Sequence, residues 1–499
     1  MRDARYICLG LILVFCAGSF GCAQQGQGGS ANANGTGAGD VLTRAAAFDR
    51  LAERTAPHVA AGATAPSFVV DPGWPKPLPN NWMIGDIGGI FADKNDHIWV
   101  YHRPRALSTT DSGALPEAGK DPKGNPISAI GHPRRFGQLS GCCIPAPSVI
   151  EFDKEGNLVQ AWGGPSDPGF LEKKCREQDG CFWPAREHGI YVDHNDFVYI
   201  SGNGQGFNGQ FPWAAKFGND SHVLKFRKDG TFVFQIGTAG AKGPNSNDTN
   251  GGVNGTPQPF LVAEMFVDPK TNYLYIADGY GNRRVLIVDA ATGKYVGHFG
   301  AYGQNPIPVD TPVGPEAGEA EGPWAADFRK GELKPKFFRS PLHCVKLAND
   351  GMLYVCDRGN NRVQIFNSAE VGKPCANPNG EPGKCGFVRE IAVAPRTVNG
   401  TAVSLDFSKD EKQSCLYVAD LTNDTVYTIN RENLNQLDRF GTGGRQIGQF
   451  HWPHGMSVDS EGNVYVGEVD TAGRVQKFMR YGATGCSGNG TEQVGIFNN

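Results

Sequence analysis

One pattern returns six times along this chain, and it limits the fold more than any other feature. In each unit a short apolar strand runs into a polar turn. A second strand carries an aromatic-apolar pair and usually ends on Asp or Glu. A third strand follows, often opened by Arg-Val. The units run from Gly88 to Tyr101, His188 to Ile200, Ala263 to Asp278, His343 to Asp357, Leu405 to Asp420 and His454 to Glu468. Their turns, such as Asp93-Lys-Asn-Asp and Asn349-Asp-Gly, are of the kind that close hairpins. Fourth strands end on glycine, as in Ala161-Trp162-Gly163, His298-Phe299-Gly300 and Arg439-Phe440-Gly441. Four short antiparallel strands repeated six times predict an all-β, six-bladed propeller. The sixth unit has no fourth strand after Phe478. Ser67-Phe-Val-Val-Asp, far upstream, has the character of one and is expected to close the ring.

Composition agrees with many tight turns, since the chain holds 68 Gly and 33 Pro among 499 residues. Lys+Arg 47 against Asp+Glu 51 leaves a net charge of −4, which argues against a nucleic-acid partner. A hydrophobic fraction of 39% is too high for disorder and too low for a multi-span membrane protein. The spacing between units is uneven, so long loops are expected over 104–144, 202–220 and 304–336.

The first 21 residues read as a signal peptide, with Arg2 and Arg5 ahead of an apolar stretch from Tyr6 to Gly18. Gly21-Cys22 resembles a lipoprotein processing site, with Cys22 as the lipidated residue and hence a membrane anchor. Residues 22–60, rich in Gly, Ala, Gln, Ser and Asn, read as a flexible tether. The propeller is assigned to 61–485 and a tail to 486–499. These features predict export to a bacterial cell envelope. Ten cysteines follow Cys22, an even number suited to disulfides. Cys175 with Cys181 and Cys375 with Cys385 close short loops. Cys344 and Cys356 flank one turn symmetrically and could lie side by side. Adjacent Cys142 and Cys143 are not expected to pair together.

Aligning the units on the second-strand aromatic (Trp99, Tyr199, Tyr275, Tyr354, Tyr417, Tyr465) exposes a second order. Eleven residues earlier stand His188, His343 and His454, in units 2, 4 and 6. The same position holds Gly88 in unit 1, Ala263 in unit 3 and a residue near Leu405 in unit 5. First strands line a propeller's channel, so alternate blades would bring three imidazoles together near the axis. That is a ligand set for zinc with an open position. Packing histidines are the bland alternative, but regular alternation disfavours it. His97, His102, His194 and His451 show no such order and read as turn or surface residues. Beyond the aromatic a further ring holds Arg103, Asn203, Tyr280, Arg358, Leu421 and Val469. Two arginines and a tyrosine there suggest a carboxylate clamp and a base. Salt bridges between blades are the alternative.

Asp278-Gly-Tyr-Gly-Asn-Arg-Arg, Cys356-Asp-Arg-Gly-Asn-Asn-Arg-Val-Gln-Ile-Phe and Pro453-His-Gly resemble NHL repeats. More narrowly, from Trp82 to Phe478 the chain resembles the peptidyl-α-hydroxyglycine α-amidating lyases, which cleave a carbinolamide to an amide and glyoxylate. The resemblance implies zinc on His188, His343 and His454. It implies Tyr280 as base, Arg358 keeping that tyrosine anionic, and Arg103 holding the substrate carboxylate. It also brings a channel calcium held by two carbonyls, matching Ile90 and Ile190, and by an aspartate. Gly455 stands at the aspartate's position. The family's disulfide beside the tyrosine is missing, because Gly281 follows Tyr280. Its second disulfide would need cysteines at Tyr354 and Ile365.

The resulting expectation is an exported zinc-dependent lyase acting on a small-molecule or peptide carbinolamide. The alternative is a non-enzymatic NHL propeller that binds a protein or polysaccharide at the cell surface. A lactonase-like hydrolase is a third reading, weakened because such sites use carboxylate and amide ligands.

Overall fold

A computed structural model describes residues 59–107, 117–120, 126–128, 143–167, 169–205, 218–243, 245–306, 335–470, 472–492 and 494–495. The signal segment, Cys22, almost all of the tether, Cys142 and much of the three long loops lie outside them.

Among the described residues six four-stranded antiparallel sheets form the blades of a propeller. Their first strands adjoin one another around a closed ring. In chain order these strands are Asp86–Ala92, Glu187–Val192, Met265–Asp268, Cys344–Leu347, Ala402–Phe407 and Pro453–Val458, one for each of blades 1 to 6. Blade 6 takes its outermost strand from Thr64–Asp71, which pairs with Val475–Ser487. The ring is therefore closed by the two ends of the fold, as the sixth unit's missing fourth strand required. Six hydrophobic clusters hold it together, one between each pair of neighbouring blades. Tyr191 and Met265, for example, pack between blades 2 and 3, and Trp74 and Val475 between blades 6 and 1. The core is thus a ring of interfaces, and a blade that leaves it loses both of its apolar faces.

The repeated letters of the sequence have bonded partners. Asp93 accepts from the backbone N–H groups of Asn95 and His97, while its other oxygen accepts from Trp99 Nε1 at 3.1 Å. Asp193 with Tyr199 and Asp459 with Tyr465 repeat the arrangement. Each turn acid thus ties its hairpin to the second-strand aromatic. The acid ending the second strand meets the arginine opening the third. Arg284 Nε lies 2.9 Å from Asp278, Arg362 Nε 2.7 Å from Asp357 and Arg474 Nε 2.8 Å from Glu468. Blade 1 carries Gly88-Gly89 because the first strand of blade 2 presses against it. A Cβ on Gly88 would stand 2.6 Å from the Glu187 carbonyl oxygen, and one on Gly89 2.7 Å from that of His188.

Cys175–Cys181, Cys375–Cys385 and Cys344–Cys356 are disulfides, the last joining directly opposed residues of one hairpin. A fourth, Cys415–Cys486, has no counterpart in the sequence reading. Its partners are 71 residues apart and are brought together only when blade 6 folds against blade 5. Four such bonds fit an oxidising extracellular or periplasmic compartment. The strand that carries Cys486 continues the propeller's packing past residue 485, and buried Val494 bridges Val393 of blade 4's edge. Replacing Cys415 and Cys486 together by serine is expected to cost about 2–5 kcal/mol, read as a lower urea midpoint. The same change at Cys175 and Cys181, which close a loop of sequence separation 6, should cost less.

Candidate metal centre and its surroundings

His188 is the second residue of its strand, His343 immediately precedes its strand, and His454 is the second residue of its own. All three are buried, at 0%, 0% and 4% exposure. Their ring centroids form a nearly equilateral triangle with sides of 4.9, 4.7 and 4.8 Å. That is the threefold arrangement alternate blades impose. Blade register puts Val403 at the equivalent position in blade 5, two residues before the expected Leu405, because Leu405 pairs with Val418. The Val403 carbonyl has a use: His343 Nδ1 lies 2.6 Å from it. A carbonyl can only accept, so the proton sits on Nδ1 and the Nε2 lone pair is free. His343 Nε2 faces His454 Nε2 at 3.2 Å.

Charge favours the same state. Burial, first of all, holds all three histidines well below their ordinary pKa. Arg103 adds to this at each of them, Arg358 at His343 and His454, and Arg186 at His188 and His454. Three neutral imidazoles, with ligand atoms within 4.8 Å of one another, can hold a metal ion. Among the described residues the other such group is Asp93, His97 and Glu151, where Lys228 Nζ already lies 2.9 Å from Asp93.

Tyr280 joins the triangle. Its Oη lies 3.1 Å from His188 Nε2. The flanking glycines set its position: a Cβ on Gly279 would stand 1.7 Å from the Leu342 carbonyl oxygen, and one on Gly281 2.1 Å from Phe260 Cδ1. No side chain fits on either side, and the Gly-Tyr-Gly turn is pressed between blades 3 and 4. Arg103 and Arg358 both bear on the histidines. Asn203, Leu421 and Val469, from the same ring, are buried and serve packing or backbone bonding.

Two contributors escaped the sequence reading. Arg186 lies two residues before His188, and that period-2 spacing was the available signal. Burial and the like charge of Arg103 pull its pKa down to about 10. Asp220 accepts from the N–H groups of Ala185, Arg186 and Gly204 at 2.7, 3.0 and 2.6 Å. It fixes the approach to His188 across a long loop, which no local pattern could reveal. Asp220→Ala should strand three buried donors and lower stability by about 2–4 kcal/mol. Metal affinity should fall with it, measured by competition with a chromophoric chelator. His102 corrects an expectation. It is fully buried, not a turn or surface residue, because Gly85 N–H and the Pro147 carbonyl bond its two ring nitrogens.

Below the histidines, Ile90 and Ile190 line an axial cavity together with Glu264 and Lys346. These residues do not fit the calcium implied by resemblance. Gly455 offers no carboxylate, and Lys346, paired with Asp406, already brings a cation to the cavity. Burial pushes the Glu264 carboxyl up to about 8.

The NHL repeat family matches residues 342–366, the first three strands of blade 4. Peptidyl-glycine alpha-amidating monooxygenase B of Xenopus laevis is 25% identical over 221 residues, 44% of this chain and 20% of that protein. The A form from the same frog is 26% identical over 221 residues, 44% and 19% of the two chains. The aligned part thus spans about a fifth of each frog protein's length. A streptogramin B lyase structure aligns with 80% of this chain and 96% of its own, at 12% identity and a TM-score of 0.37. The chain is an NHL-type six-bladed propeller with distant similarity to the amidating monooxygenases.

Proposed function

We propose that this protein is an exported, zinc-dependent carbon–nitrogen lyase that cleaves a carbinolamide of the α-hydroxyglycine type to an amide and glyoxylate. The observation that carries the reading is the buried triangle of three imidazoles with a tyrosine hydroxyl 3.1 Å from one of its free nitrogens. A propeller that only binds a protein or polysaccharide on its rim has no need of such a group at its centre. The distant similarity to proteins named for peptidyl-glycine amidation supports the same class of substrate.

His188, His343 and His454 would hold the metal through Nε2. Zinc, when bound there, supplies Lewis acidity that lowers the pKa of a substrate hydroxyl. In this reading Tyr280 Oη takes the hydroxyl proton. The C–O bond gains double-bond character, the C–N bond breaks, and a proton passes to the departing amide nitrogen. Atoms balance with no co-reactant: one carbinolamide yields one amide and one glyoxylate. An arginine at the rim of the triangle holds the substrate's carboxylate and so orients the reacting carbon.

The test is glyoxylate release by zinc-loaded protein from N-acyl-α-hydroxyglycines and from peptides ending in α-hydroxyglycine. Release that requires the metal is the expected result. No release from any of them would remove the lyase assignment and leave a metal-binding propeller.

A further inference from the structure

The two arginines of the second-strand ring are in different chemical situations. Arg103 is only 3% exposed. Its Nε donates to the Glu187 carbonyl at 2.6 Å, and its Nη1 lies 3.8 Å from an Asp86 carboxylate oxygen. Its charge has a protein counter-ion, and its strongest bond is spent on the residue that precedes His188.

Arg358 opens the turn that follows the second strand of blade 4. Among the described residues its one acceptor is the neutral Asn399 carbonyl, 3.2 Å from Nη2. Its Nε is buried without a partner. The adjacent carboxylate, Asp357, is taken up by Arg362 Nε at 2.7 Å and Asn360 Nδ2 at 2.8 Å. The Asn399-Gly400 turn seats the side chain. Gly400 has φ +83°, and a Cβ there would come within 2.8 Å of Arg358 Cγ. Among the described residues Arg358 is therefore a guanidinium without a protein anion, near enough for its charge to lower the pKa of His343 and His454, and an arriving carboxylate would supply the missing charge and acceptors.

We infer that Arg358, not Arg103, binds the carboxylate of the substrate, and that Arg103 is a positioning residue that holds His188 through Glu187. This moves the carboxylate from Arg103, where resemblance places it, to Arg358, and gives Arg103 a structural task at His188 instead. It rests on the lyase reading, which supplies a substrate with a carboxylate beside the reacting carbon.

The experiment separates anion binding from turnover. Full-length zinc-loaded protein is titrated calorimetrically with glyoxylate and with hippurate, a carboxylate-bearing amide that lacks the hydroxyl. Arg358→Gln should weaken both by at least about tenfold, the cost of losing a charge-assisted pair. Zinc content should be unchanged, and Arg358→Lys should recover part of the loss. Arg103→Gln, once loaded with zinc, should bind both anions as the wild type does but surrender zinc to a lower chelator concentration. Should Arg103→Gln not fold, Arg103→Lys carries the same comparison. The inference is overturned if Arg358→Gln binds both anions normally, if the Arg103 variant loses anions while keeping zinc, or if zinc-loaded wild type binds neither anion. Glyoxylate release judges the lyase reading separately.

Discussion

His343→Ala is expected to take the protein from about one zinc per chain to almost none after dialysis, as read by metal analysis. The affinity loss should exceed the roughly 10–100-fold that changes around a metal's ligands bring, because a ligand itself is removed. His188→Ala and His454→Ala should behave alike, since the near-equilateral triangle gives the three equal shares. Two other histidines serve as controls. Exposed His194 should be replaceable without effect on metal or stability. Buried His102 should lower stability when replaced, because Gly85 N–H and the Pro147 carbonyl lose their partner, yet leave the bound zinc in place. Unchanged zinc in all three triangle variants would remove the site.

Tyr280→Phe is expected to reduce glyoxylate release by about 10²–10⁴-fold, the usual contribution of a positioned acid or base. The change deletes one hydroxyl and keeps the ring that packs against the cluster between blades 3 and 4. Zinc content and the urea midpoint should therefore match the wild type. The Oη contact is with His188 Nε2, so loss of the hydroxyl frees that nitrogen and does not disturb the blade. A variant that turns over at the wild-type rate would show that another group takes the proton. A variant that loses zinc would show that the hydroxyl supports the metal.

Much of this molecule was written locally. Units 1, 2 and 6 carry an acid that closes the first hairpin and an aromatic that bonds it, as in Asp459 and Tyr465. Three units carry a terminal acid with an arginine opening the next strand, as in Asp357 and Arg362. These pairs lie within a few residues of each other, so their spacing was legible without coordinates, and six repetitions fixed the blade number. The three histidines were legible for the same reason. A channel-facing position recurs once per blade, and alternate occupancy implies threefold convergence. Closure by Ser67-Phe-Val-Val followed from counting strands.

What the chain did not state locally depends on blades meeting. Cys415 finds Cys486, Asp220 anchors the approach to His188, and Lys346 reaches Asp406 only because the ring is closed. The difference between Arg103 and Arg358 belongs here too. In sequence both are arginines at the same step after a second-strand aromatic. Their situations diverge because Asp86 and the Glu187 carbonyl lie beside one and, among the described residues, only the Asn399 carbonyl bonds the other. A repeat pattern tells which position a side chain occupies. Its neighbours across the blade boundary decide whether that charge is already neutralised, and that is a property of the assembled ring alone.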